Sequence, residues 1–500
     1  MTVGLAVRTG HRLLPDPSRV VARLFVPGQE LLAGSESRAS VVVGRILDLD
    51  ESEVRRALAG VMERFGTRHR ALGDIFSRHA DRISNRIAAN VALSADRRLL
   101  LGATFTHEFA IEAAALCNPS LVAHPDQRST PPGALRFIMS VRGVGEGHRS
   151  SIGFRTGMLA ADGAVTVDDA GPFPIINSVS PGPFDRGLFH AKLDELRANG
   201  ENAASVLDAL DDRFTQSDLD LAIDRLRTER DTRRTAGDTI AHLRTIAERS
   251  YTAVFPASSD VSERVLWPAT AMESVGMEDA RFVRFVDDDG SFVYYATYTA
   301  YDGAAIRQQL LETTDFATFT VSPIVGRAAS DKGVALFPRR IGGRFAALSR
   351  FDRETNAVAF STSPRRWNDA VTFQRPTQTW ESIQLGNCGS PIETDAGWLV
   401  LTHGVGPMRT YSIGAVLLDL DDPTMIIGRL SEPLLSPADD EQDGYVPNVV
   451  YSCGAMLHGD TVVIPYGIAD SSIGFATVAL ADLLGELLED KRAVATSARD

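Results

Sequence analysis

Cysteine is scarce: Cys117, Cys388 and Cys453 are the only three in 500 residues. An odd number spread this far apart makes neither a disulfide framework nor a metal-ligand cluster. A reducing, cytoplasmic setting is the simplest expectation for such a chain. No run of about eighteen apolar residues occurs, which argues against a helical membrane span. The first residues, Met1 to Arg8, carry neither the charged region nor the apolar core of a secretory leader, so none is expected. Excess positive charge is also lacking. A formal net charge of −14 argues against nucleic acid or an anionic membrane as the main partner, while leaving room for a local basic site.

What is present fits a soluble globular protein: 44% hydrophobic and 23% charged residues are ordinary proportions. Five hundred residues exceed one compact core, so two or more structural units are expected. Residues 1–50 mix short apolar runs with turn residues. Over 51–92, Leu58, Val61, Phe65, Leu72, Ile75, Phe76 and Ile83 recur at helical steps, which predicts an amphipathic stretch broken near Gly66. His107 to Cys117 reads as another short helix ending at Asn118-Pro119. The period then changes. Leu135–Arg142 and Ser151–Gly157 read as paired strands joined by a Gly-rich loop, Gly143 to Arg149. Because that loop opens no helix, a nucleotide-cradling role for it is poor. Over 185–250, Leu219, Ala222, Ile223 and Leu226, then Ile240, Leu243 and Ile246, return to helical spacing. After residue 251 short apolar runs alternate with Gly, Asp and Pro turns, as in small sheets repeated about an axis, with a helical pattern over Ala481–Leu488.

The most pointed chemistry lies in Gly276-Met277-Glu278-Asp279-Ala280-Arg281, two acids just ahead of a strand-like run from Phe282 to Val286. The segment resembles the Gly-x-Glu-Asp-Pro-Arg stretch of the mannoside phosphorylases and mannosidases of glycoside hydrolase family 130. Further matches follow in the same order: Asn118-Pro119, Arg142 with Ser151-Ile152-Gly153, Lys332 with Leu336-Phe337-Pro338, Arg350, Gly397-Trp398-Leu399 leading to His403, and Tyr466-Gly467 with Asp470. The likeness covers roughly 116–182 and 251–485. It implies a mainly β fold, a five-bladed β-propeller. The expected organisation is a partly helical N-terminal extension over 1–115, a first blade over 116–182, a helical insertion over 183–250, the remaining blades over 251–485 and a tail over 486–500.

The resemblance also implies the chemistry. Most glycosidases need two carboxylates. A phosphorolytic enzyme needs one acid and an anion site, because phosphate is the nucleophile. Asp279 matches the acid, acting through a hydroxyl of the bound mannose, with inversion. Lys332, Arg350 and His403 match the phosphate site, and Arg409 is close enough in sequence to add to it. Asn118, Arg142, Glu278 and Asp470 are expected to bind sugar. Trp398 and Tyr466 read as core. The alternatives for Arg142 and Asn118 are a pair with Glu146 and a plain turn. Two positions depart from the family pattern: Ala280 replaces its proline, and Gln384 stands where its phosphorylases commonly carry lysine, which weakens the phosphate site. The implied function is an inverting β-mannoside phosphorylase giving α-mannose 1-phosphate. A β-mannosidase using water and a non-catalytic sugar-binding propeller are the rivals. Expected partners are a β-linked manno-oligosaccharide or mannosyl disaccharide and inorganic phosphate as co-substrate, with no cofactor and no metal. The helical segments are expected to pack against each other or form a homo-oligomer contact.

Overall fold

The computed structural model describes residues 4–28, 37–229 and 234–497. Met1–Val3, residues 29–36, four residues of the insertion and the last three of the tail lie outside it. Two compact units separate. One comprises 16–113 with 171–175, the other 1–15, 114–170 and 176–500.

Among the described residues the smaller unit has four α-helices and one antiparallel pair of strands. The helices are Arg38–Leu47, Glu51–Phe65, Leu72–Ile83 and Ala95–Thr104. Asp50 starts the second: its side chain accepts from the N–H groups of Ser52 and Glu53, and Glu53 answers onto the Asp50 N–H. The helix ends at Gly66, where the sequence predicts the break. Buried Arg97 donates to the carbonyls of Ile46, Leu47 and Leu49, closing the end of the first helix. Gly102 lets two helices touch, because a Cβ there would lie 1.8 Å from the Phe76 carbonyl oxygen. Ala39, Val43, Ile83, Leu101 and Phe105 form the core. The helix expected over His107–Cys117 is absent. Thr106–Ala110 pairs antiparallel with Val20–Leu24, and Ala115–Ala123 belongs to a sheet of the other unit. The Ala-rich run between them favours helix locally, and strand pairing at both ends overrides it.

The larger unit is mainly β. Ala115–Ala123, Leu135–Val144 and Ser150–Leu159 form one antiparallel group. Gly276–Val286, Phe292–Tyr301, Ile306–Thr313 and Thr318–Pro323 form the next. A four-stranded sheet includes Phe345–Ser349, Asn356–Ser361 and Ala370–Gln374. Gln384–Asn387, Gly397–Val405, Tyr411–Leu418 and Ile426–Arg429 follow in another sheet. In the last, Thr461–Ile468 and Ser472–Ala479 are joined by the early strand Val7–Leu13. Trp398 and Tyr466 are buried, as expected of core residues.

A repeat too faint to count in the sequence is visible in the turns that precede three of these groups. Buried Glu273, Glu381 and Glu441 each accept backbone N–H groups three or four residues upstream. Pro268-x-x-x-Met272-Glu273-Ser274 and Pro376-x-x-x-Trp380-Glu381-Ser382 are the same turn written twice. The described residues of the segment 183–250 are largely helical and cover themselves: Phe189, Leu193, Leu219, Ile223, Leu243 and Ile246 share one buried cluster. Neither helical group therefore needs the other to shield its apolar stripe. Among the described residues no helix is long and apolar enough to cross a membrane.

Candidate functional site

Three interruptions of regular backbone build the site. The strand Gly276–Val286 slips register against Phe292–Tyr301 between Glu278 and Arg281, with Asp279 left-handed at φ 56°. It thus begins earlier than the expected run from Phe282, and the two acids sit inside it, at a bulge. The strand Ala115–Ala123 slips between Cys117 and Ser120, with Asn118 at φ 49°. Asp470, also at φ 49°, forms the turn between the last two strands. Asn and Asp tolerate this region better than other side chains. A bulge re-aims the side chain it carries. The Asn118 amide accordingly donates to Asp279 Oδ1, and the Phe282 N–H donates to Ser120 Oγ at 3.1 Å, tying one bulge to the other.

Around Asp279 the contacts are dense. Arg142 lies 3.6 Å from its Oδ1 and donates to Glu278 Oε1 at 2.5 Å and to Ser150 Oγ at 2.9 Å. Arg142 therefore pairs with Glu278 rather than Glu146. Lys332 Nζ stands 3.9 Å from Asp279 Oδ2. Arg281 donates to the Asp279 carbonyl at 3.1 Å and to the Tyr451 hydroxyl at 2.6 Å. Burial pushes the Asp279 carboxyl up, but Lys332, Arg142, Arg281 and the Asn118 amide outweigh it and bring it to about 2. Burial raises Glu278, with Asp279 adding to the shift and Arg142 opposing it. Burial likewise pushes Asp470 up to about 6 against the fields of Arg142, Lys332 and Arg409, and with that of Asp279. The three carboxyls thus carry different proton affinities.

The second half of the site is sparsely paired. Arg350 is 8% exposed. It reaches Asp331 Oδ2 and His403 Nε2 at 3.4 Å each, both long contacts. The His403 Nδ1–H donates to the Asn387 carbonyl at 3.2 Å, which leaves Nε2 as an acceptor facing Arg350. Burial, then Arg350 and Arg281, hold that imidazole well below its ordinary value, so it is neutral at physiological pH. The ring lies 4.9 Å from Tyr451, centroid to centroid, and Gly386 must be glycine, since a Cβ would meet the imidazole at 2.2 Å. Arg350 Nε, Arg281 Nε and Asn118 Oδ1 are buried with no protein partner. Buried orphans of this kind ask for a ligand or water.

All nine residues singled out in the sequence fall in this one region, with Arg409 bearing on it through Asp470. Sequence reasoning missed Ser150, Asp331, Asn387 and Tyr451 as site residues. Asp331, beside Lys332, had the only audible signal, an adjacent opposite charge in a turn. Among the described residues no group of three or more His, Cys, Asp and Glu is placed to hold a metal.

The model of the glycoside hydrolase family 130 domain, described as beta-1,4-mannooligosaccharide phosphorylase, matches residues 234–489. A 1,2-beta-oligomannan phosphorylase of Thermoanaerobacter sp. is 35% identical over 225 residues, 43% of this chain and 72% of that relative. A beta-1,2-mannobiose phosphorylase of Listeria innocua is 32% identical over 230 residues, 44% of this chain and 63% of the relative. The solved structure of a Listeria innocua beta-1,2-mannobiose phosphorylase with beta-1,2-mannobiose aligns with a TM-score of 0.45 at 21% identity, over 76% of this chain and 93% of that one.

Proposed function

The chain belongs to glycoside hydrolase family 130, and from that premise we propose that it is a β-mannoside phosphorylase. It cleaves a β-linked manno-oligosaccharide or mannosyl disaccharide with inorganic phosphate, releasing α-mannose 1-phosphate with inversion. The observation that carries this reading is Arg350: a buried guanidinium with an unpartnered Nε and two long contacts, in the same site as an acid residue flanked by cations. Phosphate supplies the short, charge-assisted bonds Arg350 lacks, and Lys332 neutralises a second oxygen. His403, through Nε2, helps to hold Arg350 in place.

Asp279 is the acid, and it is ionised in the free protein. Phosphate bound against Lys332 and Arg350 cancels much of the positive field that holds the carboxyl down, so the anion and the proton arrive together. The proton passes through a mannose hydroxyl to the leaving oxygen, while a phosphate oxygen attacks the anomeric carbon from the other face. Asn118, Arg142 and Asp470 hold sugar hydroxyls, and Glu278 keeps Arg142 in place. No cofactor enters the reaction, and phosphate is the co-substrate. A cytoplasmic setting suits both the sugar phosphate product and the three buried free thiols.

We read the five sheet groups as five propeller blades. Two of them share an edge through the parallel pair Gly276 with Ser150, and the strand Val7–Leu13 completes the last. A hydrolytic reading has two observations in its favour: Gln384 brings no charge to the anion side, and Asp279 and Asp470 have proton affinities pushed apart. A panel of β-linked mannosides with and without phosphate, scored for mannose 1-phosphate, separates the two. Phosphate-dependent mannose 1-phosphate is the expected product. Free mannose at an undiminished rate without phosphate would establish a hydrolase.

A further inference from the structure

Two hairpin turns of the larger unit share one backbone. Gly145 and Gly406 open them with (φ, ψ) of (−103°, −159°) and (−113°, −161°). Gly147 and Met408 follow at (65°, 23°) and (57°, 20°). Each closes with the glycine N–H donating to the fifth residue at 3.0 Å, and each holds its fourth residue, His148 or Arg409, at positive φ. Between them runs the segment Gly444–Val449. The Val446 N–H donates to the Ala469 carbonyl at 2.9 Å, beside Asp470, and the Tyr411 N–H donates to the Asn448 carbonyl at 2.9 Å, beside the second turn. Gly444 makes the close approach, since a Cβ there would lie 2.5 Å from Ser471 Oγ.

Tyr445 is the one aromatic of this segment. Its side chain is 49% exposed and nonetheless fixed. The Tyr445 N–H donates to Ser471 Oγ at 2.6 Å, and the phenol pairs with His148 Nδ1 at 2.9 Å, the rings 5.8 Å apart. An exposed phenol ordinarily keeps its rotational freedom. Here the phenol is held by His148, in the turn closing the hairpin that carries Arg142 and Ser150, and the Tyr445 backbone by Ser471, in the turn of Asp470.

We propose that Tyr445, braced by His148, is the stacking platform of a subsite for the leaving sugar, the pyranose on the far side of the cleaved bond. A pyranose ring presents C–H bonds on its face and hydroxyls at its rim. The electron-rich face of a pre-positioned tyrosine takes the first, at low entropic cost, and Asp470, next to the Ser471 that holds the Tyr445 backbone and within the field of Arg409, takes the second. The inference rests on reading the site as one that cleaves a β-mannoside. It adds a contact outside the acid and anion groups.

The test runs the reaction toward synthesis, from mannose 1-phosphate and an acceptor sugar. Tyr445→Ala should raise KM for the acceptor roughly three- to tenfold and leave KM for mannose 1-phosphate unchanged. Tyr445→Phe keeps the ring but loses its bond to His148, so it and His148→Ala should both fall between wild type and Tyr445→Ala. An unchanged acceptor KM, or both KM values rising together, overturns the platform. Calorimetric titration of mannobiose into wild type and Tyr445→Ala without phosphate separates this from the reaction itself. Weaker binding by the variant supports the platform even if the enzyme proves hydrolytic. Equal binding with normal phosphorolysis removes the platform and leaves the reaction standing.

Discussion

The two halves of the site are built on opposite terms. Around Asp279 the contacts are short and numerous: Arg142 spans two carboxylates and a hydroxyl, and Asn118 is locked on the acid. Around Arg350 the contacts are long, one nitrogen is orphaned and the neighbouring imidazole is neutral. The saturated half is organised before any ligand arrives, so on the proposed reading a sugar meets fixed partners. The unsaturated half keeps its donors uncommitted, and an anion gains most where protein has left most undone. The chain thus divides its work into one side that orients and one that waits.

Changing the acid tests the saturated half most severely. Asp279→Asn should lower kcat by about 10²–10⁴-fold while sugar binding persists, because the amide keeps the shape and cannot deliver a proton. A near-wild-type rate with an ordinary sugar leaving group would move the acid to Glu278, already raised by burial.

On the waiting half, Arg350→Ala should raise KM for phosphate about ten- to a hundredfold and KM for the sugar far less. Asp331 keeps Arg353 at 3.6 Å, so the variant does not strand a buried carboxylate. Equal losses for both substrates would falsify the division between the halves.

The smallest effect concerns strain within the sugar side. Asp470 sits near 6 because burial disfavours its charge. A folded-state value above the unfolded one means that its stabilising contribution is complete below about pH 4 and lost as pH rises through about 6. Asp470→Asn, neutral throughout, should therefore be more stable than wild type at pH 7 by roughly 2 kcal/mol, with the advantage fading toward pH 4. Thermal unfolding across that range measures it, and a constant difference at all pH values would place the strain elsewhere.

The residue types of the site were legible in the sequence, but the backbone that aims them was not. Asn118, Asp279 and Asp470 stood out through their order along the chain, yet nothing local announced three left-handed residues at bulges and a turn, where a glycine would have been the usual signal. Helical steps located Leu58 to Ile83 and the buried stripe from Leu219 to Ile246, because amphipathic helices repeat their pattern over several turns. His107–Cys117 reads as helix from the sequence because its Ala-rich run reports local propensity, whereas Val20–Leu24, the partner of the strand Thr106–Ala110, lies over eighty residues away. Tyr451, which receives Arg281 and faces His403, sits in an ordinary-looking apolar stretch. Its role exists only once distant strands meet.

The strand Val7–Leu13 has a further consequence, one of timing. Arg12 donates to Ser472 across 460 residues, in a pair of strands that the ribosome makes far apart in time. Until Ser472–Ala479 has emerged, the early strand has no partner and the sheet it belongs to keeps an open edge. Loop closure on this scale is slow, and the intervening sheets can form while the seam is still unmade. The turn bearing Asp470 lies just ahead of that seam, so this part of the site is finished only after the strand Ser472–Ala479 has been made.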